Sequence, residues 1–104
     1  MLEKDLEKYF NAAAERKGYM SLKFVSPAWR GVPDRIVFGA GRCYLVEFKN
    51  GLEGRLSKLQ EFMFWRFKIR GFPVTVLRTK EEVDLFVDGL SSVRLSASGD
   101  RVDP

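Results

Sequence analysis

The stretch Asp34–Lys49, DRIVFGAGRCYLVEFK, constrains this chain more than any other. Two β-rich runs, Asp34–Phe38 and Arg42–Lys49, flank Gly39-Ala40-Gly41, a spacing that predicts a β-hairpin. With the turn centred between Ala40 and Gly41, Asp34 stands opposite Glu47. Directly opposed side chains have Cβ atoms about 4.5 to 5.5 Å apart, and like charges there are destabilising. A divalent cation would offset that repulsion, since Mg²⁺ or Mn²⁺ takes carboxylate oxygens. Register is the sensitive step, because a slip of one residue would put Glu47 beside Pro33 or Arg35. Strand alternation sets Glu47 and Lys49 on one face and Val46 and Phe48 on the other. Lys49 therefore belongs beside the acids, where its ammonium can stabilise a phosphorane-like transition state or, with its pKa lowered, help deprotonate water. The plain alternative is an ion pair on a half-exposed hairpin.

The flanking sequence predicts what the hairpin packs against. Leu2, Leu6, Tyr9, Phe10 and Ala13 recur at helical spacing from Leu2 to about Lys17, and Gly18 supplies a stop. Tyr19–Val25 reads as a strand. A loop from Ser26 to Pro33, with two prolines, Trp29 and Arg30, then delivers the chain to Asp34. A second helix is expected over about Leu56–Arg70, a strand over Pro73–Leu77 and a third helix over Lys80–Val87, where Thr79 and Glu82 form a capping box. Residues 89–104 are rich in serine and charge without periodicity, and read as a flexible C-terminal tail after a domain spanning 1–88. The element order is αβββαβα, one α/β domain with a mixed β-sheet flanked by helices.

Composition removes several chemistries. The 104 residues suffice for one core, and no apolar run approaches the roughly 18 to 20 residues that span a bilayer. The acidic, amphipathic MLEKDLEKYF fits neither a secretory signal nor a transit peptide, so a cytoplasmic location, in a bacterial or virus-infected host cell, is the default expectation. One cysteine, Cys43, and no histidine exclude an internal disulfide, a histidine-ligated zinc and a histidine general base. Carboxylate, lysine, tyrosine and hydroxyl chemistry remain, with oxygen-ligated cations as the natural electrophile. A net charge of +4 is compatible with an anionic partner such as nucleic acid.

Pro33-Asp34 followed by Glu47-Phe48-Lys49 resembles the PD-(D/E)XK nuclease signature. The closer resemblance is to standalone, virus-type members of the VRR-NUC family of replication-repair nucleases. It is carried by Lys23-Phe24-Val25-Ser26-Pro27, Arg30-Gly31-Val32-Pro33-Asp34-Arg35, Val46-Glu47-Phe48-Lys49, Leu56 through Gln60, and Gly71-Phe72-Pro73-Val74, and spans roughly Leu2 to Val87. E-x-K alone is weak; the ordered set is specific. The resemblance implies a restriction-endonuclease-like fold and metal-dependent hydrolysis of DNA phosphodiesters. Carried onto this chain, it implies that Asp34, Glu47 and the backbone carbonyl of Phe48 hold Mg²⁺ or Mn²⁺, and that Lys49 positions or activates the attacking water. It also implies that Gln60 stands near the site and that an acid comes from the first helix. Helical geometry puts Glu3 at the border of the apolar stripe and Glu7 farther toward solvent, which favours Glu3.

A polyanion also has to be held. Lys23, Arg30, Arg35, Arg55 and Lys58 are the candidate phosphate contacts, with Ser26 as a hydroxyl donor. The second helix is apolar over an arc of roughly 260°, where about 100° suffices for a surface helix. Phe62, Trp65 and Ile69 fall to one side of it, so a homodimer contact is expected there, the alternative being cover from the tail and third helix. Standalone VRR-NUC proteins resemble dimeric Holliday-junction resolvases, and a dimer favours junction DNA as partner. The function expected is structure-selective DNA endonuclease activity in DNA repair; the rivals are a flap-type nuclease and a non-catalytic DNA-binding module.

Overall fold

The computed structural model describes residues 1–95, and the expected tail beyond 95 lies outside the described residues. Its order is α1 (Glu3–Arg16), β1 (Met20–Lys23), β2 (Arg35–Gly39), β3 (Arg42–Phe48), α2 (Lys58–Lys68), β4 (Val74–Leu77) and α3 (Lys80–Asp88). The expected αβββαβα order is present, with every element trimmed or extended by only a few residues.

The four strands form one mixed sheet in chain order. β1–β2 and β2–β3 are antiparallel, and β3–β4 is parallel across the α2 crossover. Helix α1 buries Leu6, Phe10, Ala13 and Ala14, the one-face spacing of an amphipathic helix. These residues pack with Val83 and Val87 of α3 against Val37, Val46 and Phe48 of the sheet. The Phe10 and Phe48 rings meet edge to face with centroids 5.4 Å apart. Leu45 and Glu47 have the opposite parity along β3 and face the α2 side. The molecule is thus layered, with α1 and α3 on one face of the sheet and α2 on the other.

Helix α1 ends in a Schellman motif. The Gly18 N–H donates to the Glu15 carbonyl at 2.8 Å and the Tyr19 N–H to the Ala14 carbonyl at 3.1 Å, with Gly18 at φ +91°. The turn feeds β1 at the edge of the sheet.

The described residues that follow α3 depart from expectation. Leu90 is buried in the core, and the Val93 N–H donates to the Lys17 carbonyl at 3.0 Å. Lys17 Nζ in turn donates to the carbonyls of Val87 and Leu90 at 2.8 and 2.7 Å, capping the end of α3. Described residues past Asp88 therefore dock beside α1 rather than hang free. Serine-rich composition concealed two apolar anchors. The capping box at α3 is also displaced: Thr79 Oγ1 accepts from the Glu82 N–H, but the Glu82 carboxylate reaches the N–H of Arg78 instead of closing on Thr79.

Candidate active site

The hairpin has the register that its turn predicts. Arg35 pairs with Val46, Ile36 with Leu45 and Gly39 with Arg42, so the next step outward sets Asp34 against Glu47. At this open end the Asp34 side chain takes over from the ladder, its Oδ2 accepting the Phe48 N–H at 2.8 Å. The Asp34 carbonyl accepts the Phe24 N–H at 2.9 Å. Asp34 is thereby clamped between β1 and β3.

Glu47 is only 2% exposed, the one buried charged residue of the described chain. Its Oε2 accepts from Gln60 Nε2 at 3.1 Å and lies 3.4 Å from Lys49 Nζ. Its Oε1 is buried with no hydrogen-bond partner among the described residues. Burial, and then the negative charge of Asp34, push the Glu47 carboxyl up to about 7, against the opposing pull of Lys49 and Gln60. The Asp34 carboxyl is raised by burial and by Glu7 and Glu3, while the Phe48 N–H works the other way. A buried carboxylate oxygen without a donor, in a pair of acids faced by the single positive charge of Lys49, fits a hard cation. Among the described residues no third His, Cys, Asp or Glu completes a ligand cluster, so backbone carbonyl and water oxygens would have to supply the remaining positions.

Gln60 is fixed from both ends. Ser57 is the N-cap of α2 and its Oγ accepts the Gln60 N–H at 3.1 Å, while Gln60 Oε1 accepts the Ser57 N–H at 3.0 Å. With its carbonyl oxygen committed to the cap, the amide nitrogen points to Glu47. The S-x-x-Q signature of this capping box stands in the sequence and would have placed the helix start at Lys58 rather than Leu56. The loop before Asp34 leans on the same turn. Gly31, at φ +83°, has no room for a side chain, since a Cβ there would lie 2.9 Å from the Leu59 carbonyl oxygen.

The first helix differs in detail from its helical-wheel reading. Glu7, expected toward solvent, is half-buried and ion-paired to Arg35 Nε at 2.6 Å, whereas Glu3 is exposed. The reason is tertiary: Arg35 points across the sheet toward α1 and draws Glu7 in. Both acids approach Asp34 closely enough to raise its carboxyl. Arg35 is thereby already matched to an acid. Lys23, Arg30 and Lys58 are exposed, Ser26 is half-buried, and the Arg55 guanidinium donates to the Leu52 carbonyl at 2.9 Å. On α2 only Met63 and Phe64 are buried, and Phe62, Trp65 and Ile69 stay 48%, 55% and 56% exposed. Neither α3 nor the described end of the chain covers them, because both lie at α1.

A solved structure described as a VRR_NUC domain superposes on this chain with a TM-score of 0.78 at 26% identity, covering 84% of this chain and 95% of the other. The chain folds as a VRR-NUC domain. No family model matches the sequence, and no curated protein does. Of the segments that carry the sequence resemblance, the loop into Asp34, the Glu47–Lys49 strand end and the first turn of α2 meet in this fold. No helix among the described residues is long and apolar enough to cross a membrane.

Proposed function

We propose that this VRR-NUC domain is a DNA endonuclease that hydrolyses phosphodiester bonds with Mg²⁺ or Mn²⁺. The observation that carries this reading is the donor-less Glu47 Oε1, buried beside Asp34 with Lys49 at the other oxygen. Asp34, Glu47 and the Phe48 carbonyl would hold the cation, which when bound supplies Lewis-acid stabilisation of the phosphoryl oxygens and a more acidic water. Lys49 holds positive charge where negative charge develops on the phosphate. Gln60 acts as a positioning residue that fixes the Glu47 carboxylate through Nε2. Lys23, Arg30 and Lys58 hold flanking phosphates with Ser26, and Glu3 or Glu7 supplies the α1 acid.

The exposed Phe62, Trp65 and Ile69 face supports a homodimer, and two opposed sites suit branched substrates such as four-way junctions. A monomer would instead favour flap cleavage. The test measures cleavage of four-way junction, flap and linear duplex DNA with Mg²⁺ or Mn²⁺ for wild type, Asp34→Asn and Lys49→Ala, together with sedimentation. Metal-dependent junction cleavage by a dimer, lost in both variants, is expected. Full activity in both variants would remove these residues from the site, and DNA binding without cleavage under either metal would leave a binding module.

A further inference from the structure

A concave surface opens next to the acids. Phe24 takes the position opposite Asp34 at the β1–β2 edge, one step beyond the Lys23–Arg35 pair, with its N–H on the Asp34 carbonyl. Opposed residues share a face, so Phe24, Asp34 and Glu47 form one row on the α2 side of the sheet. Phe24 lines a cavity of about 240 Å³ with Trp29, Val32, Met63, Arg66 and Phe67. Its ring meets Phe67 edge to face at 6.0 Å, and the Arg66 guanidinium lies over the Trp29 ring at 4.7 Å from the centroid. The cavity is thus lined by three aromatic rings, by apolar Val32 and Met63, and by two arginines. Among the described residues, neither Arg66 nor Arg70, which also borders it, has an acidic partner.

Volume, chemistry and position each narrow the occupant. At about 240 Å³ the cavity falls below the roughly 300 to 1,000 Å³ of sites for drug-sized ligands, so it admits one small group. Aromatic faces and an arginine plane favour a flat π-system, and unpaired cations favour one attached to a phosphate chain. Adjacency to Asp34 puts that group within a nucleotide or two of the reacting phosphate. We propose that this pocket receives one unpaired nucleobase of the DNA strand bound at Asp34 and Glu47; the assignment rests on the DNA-cleavage reading. Trp29 and Phe24 stack on the base, and Arg66 braces Trp29 while drawing in the phosphate. A fully paired duplex offers no free base without unstacking, so the pocket makes the site selective for splayed or branched DNA.

The test titrates the full chain, in EDTA at low salt, into a forked duplex carrying 2-aminopurine at successive unpaired positions. Quenching at one position beside the fork is expected, with loss of the quench in Trp29→Ala and Arg66→Gln. An abasic site at that position should weaken wild-type binding on the order of 5- to 150-fold and leave Trp29→Ala binding unchanged, the size of one base–aromatic stack. Trp29 is 50% exposed, so its truncation spares the core, which circular dichroism checks. DNA binding with the same fluorescence in wild type and Trp29→Ala would overturn the base subsite while leaving the nuclease reading intact. A Trp29-dependent quench without cleavage under Mg²⁺ or Mn²⁺ would overturn the nuclease reading alone. Absence of any DNA binding would remove both. Dissociation of a dimer by Trp29→Ala, with no base effect, would assign the pocket to a second copy of the chain.

Discussion

Gln60 joins the start of α2 to the buried acid of the sheet: its Oε1 accepts the Ser57 N–H and its Nε2 donates to Glu47 Oε2 at 3.1 Å. Gln60→Ala should therefore cost about 1 kcal/mol in urea unfolding by loosening the cap, and weaken Mg²⁺ binding by freeing the Glu47 carboxylate. Gln60→Glu separates the two effects. It keeps an acceptor for the Ser57 N–H but puts a second negative charge at Glu47, so stability should recover more than cleavage does. Equal loss of both in the two variants would show that the Nε2 contact has no role of its own.

Glu47 should make metal-free stability fall as pH rises. Its folded carboxyl sits at about 7, above its ordinary 4.5, so between those values the folded chain binds more protons than the unfolded chain. Stability is fullest below the ordinary value and is lost as pH climbs through 7, by roughly 3 kcal/mol in all. The raised Asp34 carboxyl acts in the same direction. A cation needs both groups ionised, so Mg²⁺ should raise the melting temperature more at about pH 8 than at about pH 5.5 and release protons on binding. Melting curves in EDTA and in Mg²⁺ across this range decide it, and a metal-free protein that gains stability from acid to neutral pH would contradict the assignment.

Lys49→Ala should separate binding from chemistry. Removing the ammonium 3.4 Å from Glu47 Oε2 takes away a charge that competes with a cation for the same oxygen. Metal affinity by calorimetry should hold or rise, while single-turnover cleavage falls on the order of 100- to 1,000-fold, the usual scale for a lost charge-stabilising donor. Parallel loss of both would make Lys49 a structural ion pair.

The basic residues should divide in their salt response. Lys23, Arg30 and Lys58 are exposed, and each replaced by Ala should lower the slope of log binding constant against log salt by about 0.9 per phosphate contact. Arg35 is held by Glu7 at 2.6 Å, so Arg35→Ala should leave the slope nearly unchanged, whereas Glu7→Gln should release the guanidinium and tighten DNA binding. A slope change for Arg35→Ala as large as that for Arg30→Ala would place Arg35 on the phosphates.

Leu90→Ala tests the docking of the described segment after α3. Leu90 is 7% exposed and belongs to the core with Phe10 and Val87, so truncation should cost about 2 to 4 kcal/mol by chemical denaturation. A cost under about 0.5 kcal/mol is what a free tail would give.

Much of the candidate site's local geometry is legible in the sequence. Gly39-Ala40-Gly41 fixed the hairpin register, and with it the opposition of Asp34 and Glu47, because turn placement sets which residues face each other. Alternation set Lys49 beside Glu47 for the same local reason. Ser57 and Gln60 were readable too, as an S-x-x-Q cap, since capping depends only on the first turn of a helix.

The remainder depended on residues far apart in the chain. Whether Glu7 or Glu3 turned inward was decided by Arg35 on another element, and Leu90 was buried because α1 and α3 left a space that its own neighbours do not announce. The cavity between Phe24, Trp29 and Arg66 exists only where the loop into Asp34 lies on α2. Sequence by itself determined the hairpin, its register and the polarity of its faces, because backbone hydrogen bonding and side-chain alternation act over a few residues. Tertiary structure alone decided which acid is paired, which oxygen of Glu47 is left without a donor and which aromatics share a wall, because burial and charge pairing depend on what the packed sheet brings from a distance.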